Sequence, residues 1–383
     1  MTDVFTLTAP REALLAACET AMAPVERKNT IPVLANLLFD DARQVRPRLR
    51  LSGTDLDTTS AVITDIPIEN MPAEGITAPA ALLHDILRKL PAKAEVTIKT
   101  NTHGQMGLTS GRSRFMLQTL PGDDWPRLED RTGEAASFEI PAGKFAAMLA
   151  AVSFAISTEE TRYYLNGVYM HCLGDQLILV STDGHRLARA IHAAPDGAAG
   201  MPGVIIHRKT VGLIAKRLAQ ADRQAMLQVT VSENMVRFDL GPGRITSKLI
   251  DGTFPDYVRV IPEGNQNHWR FGVDEMAAAV DRVSTVSSER GRAVKMTWGR
   301  DSVELMVVNP DAGDGQDTVT AQAGDGDDVE IGFNAKYLGE MLGHITGQAD
   351  AALGDGGAPA RFTPAHTDDD EIALTFVLMP MRV

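Results

Sequence analysis

Cysteine is nearly absent: Cys18 and Cys172 are the only two in 383 residues. So few thiols exclude a disulfide framework or a cysteine-rich zinc cluster and fit a reducing cytoplasm. Long apolar runs are missing as well. No stretch approaches the roughly 18 residues of a membrane span, and residues 1–10 lack the basic-then-apolar pattern of a secretory leader. The expectation is a cytoplasmic protein with no membrane partner. Positive charge is also scarce. A formal net charge of −13, taken alone, disfavours a phosphate backbone as partner. That deficit is local: residues 301–335 contain no Lys or Arg and hold Asp311, Asp314, Asp317, Asp325, Asp327, Asp328 and Glu330. No phosphate loop, metal-ligand spacing or Ser/Cys nucleophile motif occurs, so neither cofactor nor metal is expected.

What is present is ordinary globular composition, 44% apolar and 23% charged, in a chain long enough for two or three domains. It is also internally repetitive. A helix signal begins near Pro10 (Leu14, Leu15, Cys18, Met22), near Pro141 (Phe145, Met148, Val152, Ile156) and near Val273 (Met276, Val280, Val283), a period of about 130 residues. A second begins at Pro79, His207 and Asn334. Aligned without gaps it gives the apolar columns Leu83/Val211/Leu338, Ile86/Ile214/Met341, Leu87/Ala215/Leu342 and Leu90/Leu218/Ile345. Their spacing puts all four on one helical face, as a helix packed on a sheet requires.

Strand-like runs lie between the helices, at 33–39 and 49–52, 167–172 and 176–180, 293–298 and 302–308, and others follow the second helix at 95–99, 228–231 and 235–240. The Gly/Ala/Asp-rich stretches 311–328 and 347–359 read as loops. The fold class is therefore α+β: three tandem repeats of a two-helix plus antiparallel-sheet module, at 1–133, 134–264 and 265–383.

Basic pairs recur on the second helix, Arg88 and Lys89 in one module and Lys216 and Arg217 in the next, with Arg208 and Lys209 upstream. Each pair alone would be a solvated face; recurrence points to a polyanion. The third module departs, with Gly343 and His344 there. Two copies would supply twelve helices, which at roughly 10 Å spacing trace about 120 Å. A hole roughly 28 Å wide remains after one helix diameter is subtracted, enough for a duplex about 20 Å across.

Nine strings carry a family resemblance. They are Thr30-Ile-Pro-Val-Leu-Ala-Asn-Leu-Leu38, Leu51-Ser-Gly-Thr-Asp-Leu56, Ser110-Gly-Arg-Ser-Arg-Phe115, Thr161-Arg-Tyr-Tyr-Leu-Asn-Gly167, Thr182-Asp-Gly-His-Arg-Leu-Ala188, Ser247-Lys-Leu-Ile-Asp-Gly252, Phe254-Pro-Asp-Tyr257, Ile331-Gly-Phe-Asn334 and Met379-Pro-Met-Arg382. In these the chain resembles the bacterial DNA sliding clamp, the beta subunit of DNA polymerase III. The resemblance implies the DNA clamp fold closed as a head-to-tail homodimeric ring, with module one of each chain against module three of the other. It implies a non-catalytic processivity factor that encircles duplex DNA without reading sequence, is opened by a clamp loader, and tethers the replicative polymerase and other proteins through a peptide cleft.

By the same resemblance the cleft takes in Leu165, Thr182, Gly184, His185, Arg186, Leu187, Pro255, Arg259, Val260, Asn334, Tyr337, Val377, Leu378, Met379, Pro380, Met381, Arg382 and Val383. Arg27, Lys28, Tyr163 and Tyr164 join the basic pairs toward DNA, and Phe115 and Leu117 would meet Thr285 and Val286 at the subunit contact. Tyr163 and Tyr164 are adjacent and cannot share a face. Gly291 stands where the family often has an aromatic residue beside the cleft. Two rivals stay open: a three-module scaffold that has lost DNA tethering, and a hydrolase using Asp183 and His185 as orienter and base.

Overall fold

A computed structural model describes residues 5–26, 29–42, 46–101, 104–128, 133, 136–287, 293–324, 326–366 and 372–382. Arg27, Lys28, Gly291 and Val383, all singled out above, lie outside the described residues.

The same order of strands and helices runs through the chain three times. First come Thr6–Pro10 (β1), Arg11–Ala21 (α1), Asn36–Asp41 (β2), Arg48–Thr54 (β3), Thr58–Glu69 (β4), Ile76–Pro79 (β5), Ala80–Lys89 (α2), Glu95–Thr100 (β6), Met106–Ser110 (β7) and Ser113–Leu117 (β8). Next are Ala136–Pro141 (β9), Ala142–Ser153 (α3), Gly167–Leu173 (β10), Gln176–Thr182 (β11), Arg186–Ala193 (β12), Val204–His207 (β13), Arg208–Leu218 (α4), Met226–Val231 (β14), Met235–Leu240 (β15) and Gly243–Lys248 (β16). Last are Asn267–Gly272 (β17), Val273–Ser284 (α5), Ala293–Trp298 (β18), Ser302–Asn309 (β19), Gly313–Ala323 (β20), Val329–Asn334 (β21), Ala335–Leu342 (α6), Gln348–Leu353 (β22), Ala360–Pro364 (β23) and Ala373–Leu378 (β24).

The helix starts have a shared solution to their orphan amides. No side chain caps α1 or α5. Instead a loop carbonyl just before a strand accepts the first N–H: Ala94 O from the Arg11 amide, Ala225 O from that of Ala142 and Gly347 O from that of Val273, at 2.8–2.9 Å. Side chains serve as well before α6, where Asn334 accepts from the amides of Lys336 and Tyr337, and before α4, where His207 Nδ1 accepts from the Lys209 amide at 3.2 Å.

Two compact units result, residues 1–142 with 212–249 and residues 143–211 with 250–383. Each is built around one twelve-stranded sheet. In the first, the order β8-β7-β6-β1-β4-β16-β15-β14-β9 carries β3 on β4, β2 on β3 and β5 on β2. In the second the order is β13-β10-β11-β12-β24-β23-β22-β17-β20-β19-β18-β21. Each sheet crosses a repeat boundary by one antiparallel pairing. In the first it is β4 with β16, from Thr58↔Ser247 to Val62↔Gly243. In the second it is β12 with β24, from Arg186↔Leu378 to Ile191↔Ala373. The strands correspond: β4 and β12 hold one place in the repeat, β16 and β24 another.

In the first unit Leu14, Cys18 and Ala21 of α1 and Leu83, Ile86 and Leu87 of α2 bury against Leu7, Leu49, Leu51, Val96 and Ile98. Burial pushes the Cys18 thiol up to about 12, so it stays protonated and unreactive. The helical columns are buried throughout, apart from half-buried Ala215.

Two readings of loops are corrected. The stretch 311–328 contains β20, and 347–359 contains β22. Acidic and glycine content hid the alternation of β20, where Val319 and Ala321 are buried between exposed Thr318, Thr320 and Gln322. Buried alanines Ala349, Ala351 and Ala352 do the same work in β22. The run at 33–39 begins as a 3-10 turn, Pro32–Ala35, because proline lacks the N–H a ladder needs, and becomes strand only at Asn36.

Candidate functional site

The turn between β11 and β12 is held by its own side chains. Asp183 Oδ1 accepts from the amides of His185 and Arg186 at 2.9 and 3.1 Å, and Thr182 Oγ1 donates to the Arg186 carbonyl at 2.6 Å. Gly184 has φ +89°, a left-handed conformation that favours glycine.

Arg186, 9% exposed, organises everything around the turn. Its Nε donates to Asp183 Oδ2 at 3.0 Å, Nη1 pairs with Glu340 of α6, and Nη2 donates to the Phe154 carbonyl at 2.6 Å. The guanidinium lies 4.3 Å from the Tyr337 ring centroid and 5.1 Å from that of Phe154. Phe154 in turn stacks on His344 at 4.6 Å. Burial lowers the His344 pKa, and neighbouring Arg186 lowers it further against an opposing pull from Glu340. Arg186 is thus a fastener between β12 and α6. His185 is exposed and stacks on Tyr337 at 6.2 Å. Asp183 spends its carboxylate on backbone amides and Arg186, and nothing orients the His185 ring as a base, which removes the geometry a hydrolase would need.

The carboxyl-terminal segment is stitched across the same place. β24 pairs with β12, then the Met379 amide donates to His185 O and the Met381 amide to Gly332 O, both at 2.8 Å. Pro380 is half-buried, while Met379, Met381 and Arg382 are exposed. Beneath them Leu165, Leu187, Val377, Phe254, Tyr257 and Ile261 form one buried cluster. Leu378 is buried beside it in the strand. Val258 and Val260 stay 49% and 43% exposed next to exposed Pro255, and Arg259 pairs with Asp256 at 2.7 Å. Apolar side chains left uncovered over a packed floor suit the insertion of large apolar side chains from a ligand. Asn334 uses its side-chain oxygen to cap α6.

Several participants escaped the sequence. Tyr169 stacks on Phe254 at 4.9 Å, and His171 Nε2 lies 3.0 Å from Tyr257 Oη. Burial lowers the His171 pKa, opposed by a backbone hydrogen bond. Arg189, half-buried, donates from Nη2 to Thr375 Oγ1 at 3.1 Å, and its Nε has no partner among the described residues. Period-two alternation on β10 and β12 would have put Tyr169 with His171, and Leu187 with Arg189, on common faces.

The expected DNA-facing residues behave differently from one another. Tyr163 is 53% exposed, whereas Tyr164 packs against the buried cluster. Arg88 and Lys89 are exposed at the end of α2, Arg88 within 3.6 Å of Asp85. Arg208 and Lys216 are exposed and Lys209 is half-buried. Arg217 turns inward, donating to Thr20 Oγ1 at 3.1 Å under close approach of Gly243. Of the expected contact residues, Phe115 is 37% exposed on β8 and Leu117 is buried. Thr285 is exposed, and the Val286 carbonyl accepts from Asn309 Nδ2 at 2.7 Å.

Among the described residues no helix is long and apolar enough to cross a membrane, and no group of side chains could hold a metal ion. Family models match along the chain: the N-terminal domain of the DNA polymerase III beta subunit at 5–129, its central domain at 139–256 and its C-terminal domain at 258–382. The beta sliding clamp of Caulobacter vibrioides is 41% identical over 98% of this chain and 100% of its own length. That of Escherichia coli K12 is 32% identical over 98% and 99%. Among solved structures, a DnaN sliding clamp from Bartonella birtlesii bound to griselimycin superposes with TM-score 0.90 at 41% identity, covering 99% of this chain and 100% of that one. Its Pseudomonas aeruginosa counterpart, also bound to griselimycin, gives 0.90 at 32%.

Proposed function

The chain belongs to the DNA polymerase III beta subunit family, and from that premise we propose how its own residues close a ring, meet DNA and hold partners. As a member it is a non-catalytic processivity factor, a sliding clamp that works with DNA and the polymerase.

The observation that carries the ring is the pattern of strand pairing. The place held by β4 and β12 is held in the last repeat by β20, and the place held by β16 and β24 is held in the first by β8. Among the described residues, 313–320 of β20 pair only with β19, and β8 only with β7. Two complementary edges are therefore left over, which a second copy supplies head to tail. At the internal junctions an apolar side chain faces a small one, Ile245 opposite Ser60 and Phe376 opposite Ala188. Phe115, like Ile245 the third residue after a two-residue turn, would face β20 near Gly315, which packs closely against Val283 and Val286 of its own chain. The β8 end carries Arg112 and Arg114, and the β20 end Asp311, Asp314 and Asp317.

Three modules bounded at 1–133, 134–264 and 265–383 then make a six-module homodimeric ring in the cytoplasm, opened by a clamp loader. Exposed Arg88, Lys89, Arg208, Lys216 and Tyr163 reach duplex phosphates, together with Arg27 and Lys28, while Arg217 and Tyr164 act as supports. Partner peptides enter over Leu165, Leu187, Val258, Val260, Val377, Met379 and Met381, with His185 and Tyr337 as one wall. Sedimentation should give twice the 41.2 kDa chain mass, and loader-dependent retention should occur on nicked circular DNA and vanish on linearised DNA. A monomer at micromolar concentration, or equal retention on both DNAs, would sink the ring. Removing residues 379–383 should abolish binding of a Gln-Leu-Ser-Leu-Phe peptide and leave the dimer intact; unchanged affinity would place the cleft elsewhere.

A further inference from the structure

The first inter-module junction holds a groove that the clamp reading leaves without a task. Leu49 and Leu51 of β3 point into the helix-covered core, so Arg48, Arg50 and Ser52 point to the opposite face. There they floor a cavity of about 660 Å3, walled by the 125–128 segment after β8 and by the β15–β16 turn. That volume is in the range of sites for short ligands.

Its charges do not balance. Buried Asp40 takes both a two-point contact from Arg50 and Arg127 at 3.5 Å. Asp239 takes Arg237 at 2.9 Å and Arg244 at 2.5 Å. Arg48 pairs with fully exposed Asp65 at 2.7 Å. Among the described lining residues four guanidiniums, Arg48, Arg50, Arg127 and Arg244, thus face three carboxylates, Asp40, Asp65 and Asp239, in a chain whose net charge is −13. Among the described residues the hydrogen bond of Arg244 uses Nε alone, and Arg127 reaches only long contacts, to Asp40 and to Glu74 O at 3.4 Å. Between these half-exposed donors the walls are apolar, with Leu38, Ile63, Leu128 and Pro242.

We propose that this groove binds a short extended peptide from a partner protein, in which acidic side chains flank an apolar one. Alternate side chains of an extended peptide lie about 7 Å apart on one side, so carboxylates can reach Arg127 and Arg244 while an apolar residue rests on the wall. A nucleic acid strand fits less well, because its unbroken phosphate run would also meet Asp40, Asp65 and Asp239. Position supports a peptide too. Trp125-Pro126 follows the last strand of its repeat as Phe254-Pro255 follows the next, and the latter pair borders the proposed cleft.

The test is fluorescence anisotropy on the full chain with fluorescein-labelled Glu-Leu-Asp-Leu-Glu, its neutral counterpart Gln-Leu-Asn-Leu-Gln, and unlabelled oligo(dT) as competitor. Arg127→Glu with Arg244→Glu changes two half-exposed side chains, and far-UV circular dichroism checks the fold. The acidic peptide should bind at least about tenfold tighter than the neutral one and lose about that factor in the double variant. The Gln-Leu-Ser-Leu-Phe peptide should bind both proteins equally. Equal affinity for acidic and neutral peptides, no loss in the variant, no binding at all, or displacement by oligo(dT) at low micromolar concentration would overturn the proposal. Loss of the Gln-Leu-Ser-Leu-Phe signal alone would break the cleft reading and leave this one standing.

Discussion

At the first junction Thr58, Ser60 and Ala61 of β4 face Ser247, Ile245 and Arg244 of β16, whereas at the second Arg186, Leu187 and Ala188 of β12 face Leu378, Val377 and Phe376 of β24. The ladder is the same; the faces differ. One side of the first junction is occupied by arginines and aspartates around an open cavity. The corresponding side of the second is filled with Tyr169, His171, Phe254 and Tyr257 in mutual contact. Backbone pairing sets where a groove can form, and the side chains of a few strand positions decide whether it prefers apolar or charged ligands.

The sharpest way to break this comparison is at the first paired residue of each junction, Arg186 and Thr58. Arg186→Met should destabilise the fold by about 3–5 kcal/mol, since Asp183 and Glu340 lose a nearly buried partner. Urea unfolding reads that value, and a loss under 1 kcal/mol would mean that Arg186 fastens nothing. Thr58→Ala, whose lost hydroxyl contacts include one of 3.3 Å to Ser247, should lose only about 1 kcal/mol.

The proposed junction between copies gives the next largest effect. Phe115→Glu puts a carboxylate on the β8 edge that would meet Asp314 and Asp317 of β20, and sedimentation at micromolar concentration should show monomers while thermal unfolding of each chain stays cooperative. A wild-type dimer constant would refute the pairing.

Acid should separate the two internal junctions further. His171 and His344 have pKa values lowered by burial, so below their ordinary value of 6.5 the unfolded chain binds protons that the folded chain refuses. Stability is full above pH 6.5 and is lost as pH falls through the lower folded values. Amide exchange should therefore speed up in β12 and β24 between pH 7.5 and 5.5 more than in β4 and β16, whose arginine-floored groove has no histidine among its lining residues. His344→Phe, which keeps a ring on Phe154, should weaken that pH dependence; an unchanged profile would exonerate His344.

The smallest effect belongs to Arg189, which holds the place of Ala61. Arg189→Leu should change stability by less than about 1 kcal/mol, because a half-solvated cation with one neutral hydrogen bond is nearly as well replaced by a methylated chain. Denaturant midpoints settle it, and a large loss would reveal a partner for the unpaired Nε.

Helices were legible because a 3.6-residue apolar period survives any composition, as the buried columns from Leu83 to Ile345 demonstrate. β20 was not, since a run of Asp and Gly drowned a two-residue alternation. The string around Arg186 was visible, but its role was hidden: Glu340 is 154 positions away, and no local pattern encodes a partner at that range. The same holds for β4 with β16 and β12 with β24, whose pairing is the physical content of the repeat and is invisible within any one strand.

The two leftover edges, β8 and β20, also bear on how a newly made chain survives. Unpaired strand edges are templates for indiscriminate aggregation. Here each edge is marked by a single sign of charge, Arg112 and Arg114 on one and Asp311 and Asp314 on the other. Two β8 edges repel, two β20 edges repel, and only unlike edges attract. In the proposed ring a solitary chain would thereby be kept out of clumps until a second copy arrives, and salt concentrated enough to screen those charges should erode that protection before it unfolds anything.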